Sequence, residues 1–222
     1  MSAARNVTID LGSGGSVSGL WLRPAKPRAC LVLAHGAGAG MAHRSMTAIA
    51  EGLAGRGVAT LRYQFPYMEK GSRRPDQPAI AHAAVRAACR RAATLAGEMS
   101  LFAGGKSFGG RMTSQAQARE PLTGVRGLVF FGFPLHPAGK PSVERADHLA
   151  EVGVPMLFLQ GTRDALAELE LLQPVVARLG KRAKLVLASD ADHSFHVPAK
   201  TGRKDPEVLA DLLREAADWM IE

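Results

Sequence analysis

The feature that most constrains the fold is a series of short, continuously apolar runs at residues 29–34, 58–61, 101–103, 128–131, 154–159 and 185–188. A strand with one wet face alternates apolar and polar residues. Runs without alternation suit strands buried on both faces, as in a parallel sheet covered by helices. The segments between the runs read as helices. Ile80, Ala84, Ala87, Ala88 and Leu95 fall on one helical face, with His82, Arg86 and Arg90 on the other. Near the end, Asp205 is placed to cap a helix and Pro206 fits its first turn, with Val208, Leu209, Leu212, Leu213, Ala216 and Trp219 as the buried stripe. The alternation predicts an α/β fold, a mostly parallel twisted sheet with helices on both faces. The start departs from this pattern. Residues 7–11 alternate, 12–15 read as a turn and 17–22 as a return strand, which predicts an N-terminal antiparallel hairpin. No repeat, low-complexity segment or long linker interrupts the chain, so residues 1–222 are expected to form one domain. Residues 132–153 leave room for one short helix and no lid domain.

Within this pattern, Gly105-Lys106-Ser107-Phe108-Gly109 matches Gly-x-Ser-x-Gly. The motif is weak alone, but here an apolar run precedes it and a helical segment follows. A strand–turn–helix with serine at the tip holds that hydroxyl exposed in a strained conformation. The same residues resemble the end of a phosphate-binding loop, Gly-x-x-x-x-Gly-Lys-Ser. That loop needs glycine where this chain has Ser100, and the 101–103 run occupies its space. An isolated glycine turn with a surface serine would have no partners, whereas this one does.

A serine hydroxyl needs a base to take its proton, and the base needs a carboxylate to orient it. Asp164 follows the fifth run in Gln160-Gly161-Thr162-Arg163-Asp164, and His193 follows the sixth. Asp164 could instead cap a helix. His196 competes with His193 but lies further from its strand. Asp190 and Asp192 suit loop turns that bond their own backbone. His43, His82, His136 and His148 are read as surface or loop residues. The stretch His35-Gly36-Ala37-Gly38-Ala39-Gly40 follows the first run. It suits a loop whose amides hold a developing oxyanion, with Ala37 and Phe108 N–H as the donor pair. It is not a dinucleotide loop, because position 41 is Met41 where Gly-x-Gly-x-x-Gly needs glycine.

Composition narrows the partners. The net charge is +8, but the basic pairs are scattered and aromatics make up only 5%, so nucleic acid is not expected as a partner. Cys30 and Cys89 are expected to be buried free thiols, with no metal site. The first ten residues show no apolar signal core and no run approaches a membrane span. No membrane association is therefore expected, and a cytoplasmic location is the default.

Five stretches together, 35–40, 65–71, 104–110, 160–164 and 192–195, resemble the capless α/β-hydrolases. The resemblance runs from about Ala29 to Glu222. It is nearest to bacterial proteins related to dienelactone hydrolases and to the KAT8-complex and testis-expressed hydrolase-like proteins. It implies an α/β-hydrolase fold and a serine esterase without cofactor, acting on a small or medium soluble ester. The implied triad is Ser107, Asp164 and His193, in the family's chain order. Dienelactone hydrolases proper carry a cysteine where this chain has Ser107, so their substrate is not implied. Some relatives resemble scaffolds of larger complexes, which keeps an idle interaction module as the alternative. Segments 63–77 and 133–141 leave the strand ends where such sheets bind ligands. They are expected to wall an open pocket, with Tyr67, Arg73 and Arg74 as substrate-binding residues and the arginines facing a substrate carboxylate. Nothing in the sequence indicates an oligomeric state.

Overall fold

The computed structural model describes residues 3–12 and 15–222. The chain opens with β1 (Arg5–Asp10) and β2 (Ser16–Leu22), an antiparallel pair registered from Arg5↔Trp21 to Asp10↔Ser16. Of the turn expected at 12–15, Ser13 and Gly14 lie outside the described residues. Six strands follow: β3 (Ala29–Ala34), β4 (Val58–Tyr63), β5 (Ser100–Lys106), β6 (Val125–Phe131), β7 (Met156–Gly161) and β8 (Ala183–Ala188). They form one sheet in the order β1-β2-β4-β3-β5-β6-β7-β8. β2 joins β4 antiparallel, and every pair from β4 through β8 is parallel.

Each apolar run lies within a strand except at 154–159, where the strand starts two residues later. Several strands outrun their apolar stretch. β4 continues through Arg62, whose guanidinium donates to Met41 O and Thr47 Oγ1. β5 continues through Gly104 and Gly105 to Lys106. Ladder bonds from strands on both sides carry these residues, whatever their own propensity.

The main helices are α1 (Arg44–Ala54), α2 (Pro66–Glu69), α3 (Pro78–Ala96), α4 (Phe108–Arg119), α5 (Leu169–Arg178) and α6 (Asp205–Ile221). They cover both faces of the sheet. Cys30, Val32 and Ala34 pack in one core with α3, α4 and α5, while Leu31 and Leu33 pack in a second core with α1 and α6. Successive residues of β3 thus enter opposite cores, which is why its sequence does not alternate. Between β6 and β7 the chain forms only a 3₁₀ helix, Glu144–Glu151, and no lid. Among the described residues, no helix is long and apolar enough to cross a membrane.

Two helical details differ from expectation. On α3 the buried stripe is Ala81, Ala84, Val85, Ala88 and Ala92, whereas Ile80 is 48% exposed and His82 only 5%. Ile80 sits in the first turn and faces solvent, while its neighbour Ala81 is fully buried. His82 turns toward α4 and bonds Gln115 at 3.2 Å, so it is not a surface residue. On α6 the cap position is Lys204, and its N–H donates to Glu207 Oε2 at 3.0 Å. Asp205 lies one residue inside the helix, and its carboxylate accepts from Val197 N.

The strand order places the site. From β3 the chain moves to β4 on one side and later returns to β5 on the other. Such a reversal leaves a crevice at the C-terminal ends of the two central strands. Ala34 pairs with Gly105 there, so the loops after β3 and β5 emerge side by side.

Candidate active site

Ser107 joins β5 to α4 with φ 50 and ψ −118. A non-glycine residue in this sparsely populated region costs on the order of 1–3 kcal/mol and persists only where its surroundings enforce it. Here Ser107 N–H donates to Phe131 O at 3.2 Å, and α4 starts at the next residue. The glycines on either side are required by close packing. A Cβ on Gly109 would stand 2.5 Å from Ala34 O, and one on Gly105 would run into the same carbonyl.

His193 reaches this serine from the loop after β8. Its Nε2 is 2.8 Å from Ser107 Oγ, and its Nδ1 is 2.7 Å from Asp164 Oδ2. Its ring is 23% exposed, so a substrate can approach it. Gly132, with φ 71, passes close beneath; a Cβ there would lie 3.3 Å from His193 Cε1. Asp164 is 2% exposed and fully engaged. Oδ2 also accepts from Gln160 Nε2, and Oδ1 accepts from Leu166 N at 2.8 Å. Asp164 caps no helix, since α5 begins at Leu169. His196 pairs with Asp205 on the surface instead. Asp192 Oδ1 accepts from Ser194 N and His196 N, the expected loop-turn role.

The loop after β3 lies against the nucleophile. A Cβ on Gly36 would be 3.9 Å from Ser107 Cβ. Among the described residues, Ala37 N–H and Phe108 N–H have no protein acceptor. The loop is anchored to the segment leading into α2 by three bonds: Phe65 N to His35 Nε2 (3.1 Å), Gly38 N to Tyr67 Oη (3.1 Å) and Met41 N to Gln64 Oε1 (2.8 Å). His35 Nδ1 donates to Gly36 O at 2.7 Å, which leaves Nε2 as the acceptor and assigns a neutral ring. Burial keeps its pKa below the usual imidazole value, consistent with that state.

Tyr67, expected to touch substrate, is buried with its hydroxyl on Gly38 N–H and its ring 6.4 Å from Phe108. Arg73 and Arg74 lie on the exposed segment after α2, and neither guanidinium bonds a triad residue. Two surface concavities, of about 640 and about 680 Å³, are lined by residues such as Leu22 and Arg62 or Thr8 and Arg91; neither includes a triad residue. Among the described residues, no group of three or more His, Cys, Asp or Glu is arranged to hold a metal ion. Gln160 escaped sequence reasoning. Its Oε1 accepts from Phe133 N at 2.9 Å while its amide supports Asp164. A polar residue inside a doubly buried strand was the available signal.

The arrangement is a hydroxyl, an imidazole and a carboxylate in one hydrogen-bonded line, beside two free amides, Phe108 N–H at the N-terminus of α4 and Ala37 N–H in the loop after β3. It can move a proton off the hydroxyl and hold negative charge nearby. Known proteins share the frame. A lidless α/β serine hydrolase from Xanthomonas campestris superposes with TM-score 0.76 at 21% identity, over 99% of this chain and 96% of that one. A dienelactone hydrolase from Anabaena variabilis gives 0.77 at 19% identity, over 97% and 95%. Est1E from Butyrivibrio proteoclasticus gives 0.73 at 18%, over 99% of each. In sequence, a Mycobacterium tuberculosis protein named "Putative phosphoribosyl transferase" is 30% identical over 210 residues, 93% of this chain. The chain spans only 44% of that relative's length, and the activity in its name belongs to the longer protein. Residues 27–221 match the family described as "Alpha/beta hydrolase domain", and the chain belongs to it.

Proposed function

We propose that this protein is a serine hydrolase that cleaves small or medium carboxylic esters through an acyl-enzyme. One observation carries the reading: the unbroken line from Ser107 Oγ through His193 to the buried Asp164, with bonds of 2.8 and 2.7 Å. His193 Nε2 takes the Ser107 proton as Oγ attacks the ester carbonyl. Ala37 and Phe108 amides hold the resulting oxyanion. His193 then gives its proton to the leaving alkoxide, which departs as the alcohol. Water attacks the acyl-Ser107 ester by the same relay, releasing the acid and restoring Ser107. Asp164 keeps Nδ1 protonated and stabilises the imidazolium. The lack of a lid supports an open site for soluble substrates, and an esterase domain from Rhodothermus marinus among the structural neighbours supports the ester reading. Arg73 and Arg74 are proposed to favour esters that carry a carboxylate.

Hydrolysis of p-nitrophenyl esters of rising chain length, with fluorophosphonate labelling and peptide mapping, tests the reading. Wild type should label on Ser107, and Ser107→Ala should lose labelling and turnover while keeping its melting temperature. Turnover retained in Ser107→Ala would sink the assignment. A folded wild type that neither labels nor turns over would favour an idle interaction module.

A further inference from the structure

Lys106 stands beside the nucleophile, at the end of β5, and has no part in the proton relay. Its side chain is only part-buried, yet it is partnered. Its Nζ donates to the main-chain carbonyl of His193 at 2.9 Å and lies 4.8 Å from the Phe195 ring centroid. Burial brings its pKa down to about 8, while the Asp164 and Asp192 carboxylates hold it up. It is therefore an ammonium at neutral pH, and its bond to the carbonyl is charge-assisted.

The loop that carries His193 is otherwise tied to itself, to the segment after β7 and, through His196 and Val197, to Asp205 at the start of α6. Asp192 N donates to His196 O, Phe195 N to Asp192 O, and Arg163 N to Ala191 O. Two of its residues, Asp190 (φ 58) and Phe195 (φ 65), sit in the left-handed region, so the loop is built under constraint. These ties locate the base relative to the acid, not relative to the nucleophile. Apart from the Ser107–His193 bond itself, Lys106 makes the one hydrogen bond among the described residues that joins loop 189–197 to the β5 turn. The strands flanking β5 supply no charge at this level, where they place Ala34 beside Gly105 and Phe131 beside Lys106.

We propose that Lys106 is a positioning residue: its ammonium, seated on the His193 carbonyl, holds the base loop in register with Ser107 and makes that register depend on the amine's proton. The consequence for rate rests on the serine-hydrolase reading, whereas the tie itself does not. Because Lys106 and Ser107 are adjacent, the bond sets the gap between serine and base across a single residue. Loss of the proton leaves a weaker, neutral donor, so the register should loosen as pH rises through about 8.

The full chain is compared with Lys106→Met, which keeps the stem without the donor, and Lys106→Arg, which keeps a donor that does not titrate. Two readouts are taken: kcat and KM for p-nitrophenyl acetate from pH 6 to 10, and amide hydrogen exchange by peptide. Lys106→Met should lower kcat roughly 10- to 100-fold with KM within about threefold, the range for a lost charge-assisted bond. Exchange at 191–197 should quicken several-fold while that of β8 holds. Lys106→Arg should recover most of kcat and flatten the alkaline fall. Unchanged exchange at 191–197 in Lys106→Met overturns the proposal, as does loosened exchange with kcat within twofold of wild type. A wild type without turnover or fluorophosphonate labelling defeats the esterase reading alone, and exchange still decides the tie.

Discussion

Asp164→Asn gives the sharpest test of the relay, because every contact of this carboxylate is a donor. His193 Nδ1, Gln160 Nε2 and Leu166 N all point at it, and it is 2% exposed. Asparagine must aim an NH₂ at one of these donors, whichever way its amide turns. If the NH₂ faces His193, the imidazole must accept at Nδ1 and carry its proton on Nε2. The ring then offers Ser107 a donor where a base is needed. The expected loss is about 10⁴ in kcat, or roughly 5.5 kcal/mol of barrier. If the NH₂ also meets Gln160, a buried donor goes unpaired at about 1–3 kcal/mol. For a chain of this size that corresponds to a melting temperature lower by roughly 2–12 °C. Steady-state p-nitrophenyl acetate hydrolysis at 20 °C, with the rate of fluorophosphonate labelling, separates chemistry from unfolding. A fall in kcat below tenfold in the folded variant would refute the reasoning and assign the orienting role to another group.

Other consequences follow from single contacts. Tyr67→Phe keeps the ring packing but removes the acceptor for Gly38 N–H, so kcat should fall about three- to tenfold with KM nearly unchanged; equal kcat would mean the loop needs no such anchor. Gly109→Ala places a Cβ 2.5 Å from Ala34 O and 2.6 Å from His35 O, backbone atoms that cannot swing away. It should lower the melting temperature by more than about 5 °C, and a change within 2 °C would show that α4 can shift freely. Burial, helped by the Arg111 charge, brings the His148 pKa from 6.5 down to about 4. Between these values the unfolded chain takes a proton that the folded chain refuses, so stability declines as pH falls through this window and levels below it. The full effect is about 3 kcal/mol at most. Urea unfolding at pH 7.5 and pH 5 should therefore differ less for His148→Gln than for wild type, and equal differences would remove His148 as the cause.

Chain order and local patterning were sufficient for the frame. Continuous apolar runs occur where both faces of a strand are buried, and the runs marked six strands and their parallel sheet. Ser107, Asp164 and His193 each follow a run, so a parallel sheet brings them to one edge without any tertiary detail. The loop at 35–40 was legible for the same reason. Helix faces were harder. Alanine-rich α3 has several apolar stripes, and packing against α4 selected the one that buries His82 and exposes Ile80. The polar supports of the site were not readable at all. Lys106 meets His193 across 87 positions, Tyr67 meets Gly38 across 29, and Gln160 meets Phe133 across 27. Such bonds leave no periodicity, because their partners lie on different elements and their worth comes from burial that only the assembled sheet creates. The sequence by itself determined the sheet and the order of its reactive residues. Only the tertiary structure decided what holds those residues at bonding distance, since desolvation turns a distant lysine, tyrosine or glutamine into a necessary partner.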